Sequence, residues 1–169
     1  SFAAMFAQLS GTPFIYIQLF GVPPEYFGFL FGLNILGIMA GSWVNSRLVI
    51  RFGIRRMLLV GTSIALVGGL SLIVTASTGV WGLAGIVLPV FIFMVPHNIT
   101  NANAAAATLE FFPQVAGTAS ALIGSIRFGT GAVIGALVGW LHDGTAIPMA
   151  AVIAGCAILS AASFWFLTH

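Results

Sequence analysis

Long apolar runs, rather than alternation of apolar and polar residues, organise this chain. Six of them can be placed, at about residues 2–20, 26–46, 57–76, 81–108, 115–141 and 147–167. Each reaches the roughly 20 residues that an α-helix needs to cross a hydrocarbon core ~30 Å thick. The breaks between them are short. Gly21-Val22-Pro23-Pro24-Glu25 is a turn containing two residues without a backbone donor, and residues 47–56 form a basic loop. Ser77-Thr78-Gly79, Glu110-Phe111-Phe112-Pro113-Gln114 and His142-Asp143-Gly144 are the remaining breaks. The pattern predicts an all-α integral membrane protein with six transmembrane helices.

Polar residues inside these runs are few, so each is informative. Arg127 lies well inside the fifth run, too deep to snorkel to either headgroup layer. Placing an arginine there costs roughly 2.5–3.5 kcal/mol on insertion scales, which predicts that it faces a bundle interior or a watery cavity. The fourth run carries Pro96-His97-Asn98-Ile99-Thr100-Asn101. At ~100° per residue His97, Asn98 and Asn101 share one stripe, while Asn103 points elsewhere. That stripe fits either a cavity lining or an interhelical hydrogen-bond patch. Gln8, Thr12 and Tyr16 share a face of the first run and Asn34 lies in the second, with the same two readings. Glycines recur at four-residue spacing: Gly28 and Gly32, Gly37 and Gly41, and Gly131, Gly135 and Gly139. Small residues at this spacing let helices approach closely in lipid, so these are packing positions, as is the seam Ala150, Ala154, Ala157 and Ala161.

Composition agrees. Of 169 residues 60% are hydrophobic and 5% charged, against about 25% charged in a soluble domain. Arg47, Arg51, Arg55 and Arg56 crowd into one loop, the pattern of a cytoplasmic segment, and nothing suggests nucleic acid as a partner. With that loop cytoplasmic, both ends of the chain and the Glu110 loop are expected on the same side, and Glu25, Gly79 and Asp143 outside. Trp81 and Trp140 then fall at the outer interface and Trp165 near the inner one. Arg51, Arg55 and Arg56 lie beside helix ends, where carbonyls and Glu110 can accept their hydrogen bonds, which makes this loop a candidate cytoplasmic gate. The three acids, Glu25, Glu110 and Asp143, all lie at run ends, and no metal-ligand or nucleophile motif is present. The reading is therefore not an enzyme, with no metal and no cofactor. The single cysteine, Cys156, is a packing residue. No signal peptide is visible, and a chain that opens almost within a hydrophobic run without an initiator Met is expected to be a fragment.

A six-run block with a basic loop between its second and third runs resembles half of a major facilitator fold. That superfamily joins those helices by a motif close to Gly-x-x-x-Asp-Arg-x-Gly-Arg-Arg. Arg51-Phe52-Gly53-Ile54-Arg55-Arg56 resembles its tail, with Ile50 at the Asp position and Ser46 at the leading Gly. Such degeneracy resembles the C-terminal half, so the runs would be helices seven to twelve. Leu9-Ser10-Gly11-Thr12-Pro13-Phe14-Ile15-Tyr16-Ile17 is similar to the opening of that half in Bcr/CflA-type drug exporters. Phe112-Pro113-Gln114-Val115-Ala116-Gly117-Thr118-Ala119-Ser120-Ala121-Leu122, with Arg127-Phe128-Gly129, is similar to the family's loop and eleventh helix.

The resemblance implies proton-coupled export of bicyclomycin-like antibiotics and other small molecules across a bacterial inner membrane, by alternating access. The proton is the coupling ion, and the coupling acids belong to an N-terminal six-helix half that is absent from this sequence and would be its partner in the bilayer. It also implies that the first and fourth helices line a central cavity, flanked by the second and fifth. The polar residues chosen above fall on those four, and the third and sixth runs carry no mid-span charge or amide. The competing class is a polytopic subunit that only scaffolds or assembles with partners. The two differ in whether the polar stripes converge on one cavity.

Overall fold

The structure is a computed structural model that describes residues 2–111 and 113–168. Phe112, part of one predicted break and of one stretch quoted above, lies outside the described residues. The described residues are helical with no strand. Helix α1 spans Phe2–Pro13 and continues as a π-helical turn over Phe14–Leu19. The change of winding begins directly after Pro13, whose ring nitrogen has no hydrogen to donate. Gly21, at φ 64°, turns the chain, and Pro23-Pro24 open α2, with Glu25 at the positive end of its dipole.

Helix α2 runs Pro24–Thr78 and corrects the expected loop. Arg47 to Phe52 remain helical, and the only non-helical residue inside is Gly53, at φ 79° and ψ 161°. That backbone region is open essentially to glycine alone. Arginine, leucine and isoleucine sustain a helix, so the basic cluster occupies two helix ends that meet at Gly53. Gly79, at φ 66°, caps α2 through its N–H to Thr75 O (3.0 Å).

The fourth run is divided. Helix α3 spans Ala84–Met94 and α4 spans His97–Glu110, interrupted at Val95 and Pro96. A 3-10 turn over Pro113–Val115 precedes α5 (Ala116–Trp140), and α6 spans Ile147–Thr168. Among the described residues, four helical stretches are long and apolar enough to cross a membrane: Pro24–Thr78, Ala84–Glu110, Pro113–Trp140 and Ile147–Phe166.

Helix α1 packs on α5 and α6, and α2 holds α3, α4 and α6. Glycine makes the tightest approaches. A Cβ on Gly41 would stand 2.1 Å from the carbonyl oxygen of Val95, and one on Gly37 2.6 Å from the ring of Phe91. Gly131 and Gly135 receive Phe6 and Ser10 of α1. At Gly28, Gly32 and Gly139 an added Cβ would meet no other part of this chain within 4 Å. In the last helix Ala150, Ala154 and Ala157 are buried, and Gly69 of α2 rests on the latter two.

Candidate functional site

The central polar group is built from α4 and α5. The break at Pro96 starts α4 at His97, so His97 and Asn101 stand one turn apart on the same face. The Asn101 amide donates to both the ring Nε2 (3.0 Å) and the carbonyl oxygen (2.9 Å) of His97. With Nε2 accepting, the ring proton belongs on Nδ1. That nitrogen is buried without a protein partner, and the ring of Phe2 lies 6.0 Å from the imidazole.

Arg127 reaches across from α5. Its Nη2 donates to the carbonyl oxygen of Asn101 (3.1 Å). The guanidinium is half-buried, and its neighbour Phe128 meets Phe2 and Phe6 edge-on at 5.3 and 6.1 Å. A backbone carbonyl thus supplies one of the partners that an arginine at this position requires.

The remaining stripe residues divide. Asn98 is exposed and donates to Ser42 Oγ on α2 (2.8 Å). Asn103 points the other way, is buried, and donates to Asn45 Oδ1 (2.7 Å) and to Ile99 O (2.8 Å). Ser42 and Asn45 were missed in the sequence; their three-residue spacing along α2, facing the Asn98 and Asn103 side of α4, was the available signal. Gln8, Thr12 and Tyr16 are buried inside the bundle. Thr12 returns its hydroxyl to Gln8 O, whereas Gln8 Nε2 and Tyr16 Oη have no protein partner. Asn34 Nδ2 donates to Leu30 O (3.4 Å), and its Oδ1 is unpartnered. Leaving a buried polar atom unpaired costs about 1–3 kcal/mol. These atoms are therefore places where a further donor or acceptor is worth most.

At the basic end, Arg47 lies over the ring of Trp43 (5.4 Å) and Arg51 over that of Phe52 (6.0 Å). Arg55 and Arg56 are exposed. Arg55 and Glu110 line the same groove, of about 900 Å³, which Asn101, Thr100 and Thr62 close at depth. The structure therefore gathers Arg55, the Glu110 end of α4 and the Phe164 end of α6 around one groove. At the other turn, Asp143 Oδ1 accepts from the hydroxyl (2.6 Å) and the N–H (2.9 Å) of Thr145. Those bonds, the hydroxyl first, hold the Asp143 carboxyl below the usual carboxylate range.

Among curated proteins, the chain is 38% identical over 170 residues to a "Bicyclomycin resistance protein homolog" of Haemophilus influenzae, covering 99% of this chain and 42% of that protein. It is 32% identical over 164 residues to an "Uncharacterized MFS-type transporter YdgK" of Bacillus subtilis, covering 96% of this chain and 40% of that protein. The chain thus spans about two fifths of the length of the curated relatives it matches. No family model matches it, and no solved structure does. Relatives named for transport and resistance, over an all-helical chain with long apolar helices, make this a multi-pass membrane protein and not an enzyme. Its similarity to both relatives fits the C-terminal half of a Bcr/CflA-type transporter of the major facilitator superfamily.

Proposed function

We propose that this chain is the C-terminal six-helix half of a proton-coupled exporter of drugs and other small molecules in a bacterial inner membrane. Its six crossings are then α1 with its π turn, the two limbs of α2, α3 with α4, α5, and α6, arranged as a 3+3 inverted repeat. Alternating access arises as this half rocks against an N-terminal half around a site between them. The basic end and both termini of the chain face the cytoplasm, as the arginine cluster favours. The relatives are named for resistance and transport, which does not favour a scaffold.

The observation that carries this reading is the polar chain from Arg127 through Asn101 to His97, spanning two helices inside apolar runs. Its members are costly in hydrocarbon and useful beside a cavity. Arg127 supplies a fixed positive charge that stabilises the ionised form of a coupling carboxylate from the other half. His97 and Asn101 offer hydrogen bonds to substrate. Gln8, Thr12, Tyr16, Asn34 and Asn98 complete the lining as the helices tilt. Arg51, Gly53, Arg55, Arg56 and Glu110 form the cytoplasmic gate.

The test is pH-dependent drug efflux by the full-length transporter in membrane vesicles, comparing Arg127→Lys with Arg127→Ala. The alanine variant should lose transport, and the lysine variant should retain part of it with a shifted pH profile. Wild-type efflux and pH dependence in Arg127→Ala would refute the proposal.

A further inference from the structure

A second groove, of about 760 Å³, runs between the later limb of α2 and α6. It shares Arg55, Thr62 and Phe164 with the larger groove described above. The two grooves therefore flank Phe164 and meet at Arg55 and Thr62. The larger is walled by Ile54, Leu58, Ala104 and Ala107, and the smaller by Leu59, Leu66, Leu70 and Ile158. The smaller groove is apolar apart from Arg55, Thr62 and Ser63, whereas the larger also carries Thr62, Thr100, Asn101, Thr108, Glu110 and Ser160 among its apolar residues.

Depth follows from helix rise. From Arg55 to Leu70 the smaller groove follows α2 for ~22 Å, and from Glu110 to Thr100 the larger follows α4 for ~15 Å. One leaflet of hydrocarbon is ~15 Å deep, half of a ~30 Å core. Each groove is thus at least one leaflet deep. Trp165 lines the smaller groove beside Arg55 and is 62% exposed. An exposed tryptophan next to an arginine at a span end marks the headgroup level. The other arginines of the cluster add positive charge at that end, where anionic headgroups are attracted. Glu110 lines only the larger groove, so the smaller groove offers Arg55 with no acid among its lining residues.

We infer that the two grooves form a site for one two-chain phospholipid, its phosphate on Arg55 and one acyl chain on each side of Phe164. The guanidinium has five N–H donors in a planar fork, so it can serve a phosphate alongside another partner. The two-chain occupant is favoured because the grooves are paired on either side of Phe164, each presents aliphatic side chains over about one leaflet, and both open at the same guanidinium. The inference rests on membrane placement and not on export, so lipid binding can fail while the transport reading stands.

The experiment is native mass spectrometry of the full-length transporter in detergent, titrated with diacyl phosphatidylglycerol or with its single-chain lyso form. The wild type should retain one diacyl lipid, and the lyso form should bind about tenfold more weakly. Arg55→Gln should reduce diacyl binding about tenfold, with Arg55→Lys intermediate, since a point charge replaces the fork. Ala161→Trp fills the smaller groove from a half-buried position and should bring diacyl binding down to the lyso level. Equal binding of diacyl and lyso forms, undiminished binding in Arg55→Gln or in Ala161→Trp, or one-for-one displacement of the lipid by an exported drug would each overturn the site.

Discussion

Arg127 shows how one side chain commits its surroundings. A cation at that depth forces a partner to be found, and the Asn101 carbonyl provides one at 3.1 Å. A hydrogen bond from a charged donor is worth about 1.5–3 kcal/mol. Removing it in the full-length protein is expected to slow transport roughly ten- to hundredfold in the vesicle efflux assay. His97 and Asn101 should act differently. His97→Gln keeps an amide able to bond Asn101, so it is expected to retain proton coupling while changing which drugs are exported. Complete uncoupling with intact substrate binding would contradict that role. Asp143 offers a test outside the spans. Its carboxyl is depressed mainly by the Thr145 hydroxyl, so Thr145→Ala should raise its titration midpoint in an NMR measurement. The sign is that of a depressed acid: the turn is supported at neutral pH and loses that support as pH falls through the folded-state value.

At the scale of elements, glycine decides both where α2 bends and where it can be touched. Gly53 occupies a conformation that other residues reach at a cost of about 1–3 kcal/mol. Gly53→Ala should therefore destabilise the bend between the two limbs by that amount, measured as a lower Tm of the full-length transporter. Gly41 makes a second, independent case. Its Cβ position is 2.1 Å from Val95 O, a backbone atom that cannot rotate away. Gly41→Ala should push α2 from the α3–α4 break at about 1–3 kcal/mol. Gly155→Ala, at a position with nothing within 4 Å, should leave Tm nearly unchanged, and an equal loss in both variants would show that contact is not the cause.

The whole molecule carries more exposed apolar surface than a water-facing protein presents. Leu36, Met39 and Trp43 on α2, and Leu122, Phe128 and Val133 on α5, are all more than half exposed. Gly28 and Gly32 on α2 and Gly139 on α5 also leave open space where a Cβ would stand. Such surfaces need lipid or another helical bundle, and the relatives are more than twice the length that this chain spans. Vesicles holding only this polypeptide are accordingly expected to show no proton-driven efflux, because alternating access takes two bundles. Efflux at the rate of the full-length protein would defeat that expectation.

The order of the apolar runs, the depth of Arg127 and the crowding of arginines at one loop follow from composition and helical rise alone, because hydrocarbon thickness imposes a fixed length. Sequence periodicity also grouped His97 with Asn101, since residues four apart share a helix face whatever surrounds them. It did not reveal that the arginine cluster stays helical on both sides of Gly53, because loop and helix end carry the same charge pattern. It did not separate Asn98, held by Ser42, from Asn101, held on His97, or place Gln8, Thr12 and Tyr16 within the bundle rather than at its surface. Nor did it distinguish Gly41, whose Cβ position is pressed on a carbonyl, from Gly28, whose Cβ position is open. Those differences depend on which helix lies alongside, and helix neighbours are a property of tertiary packing.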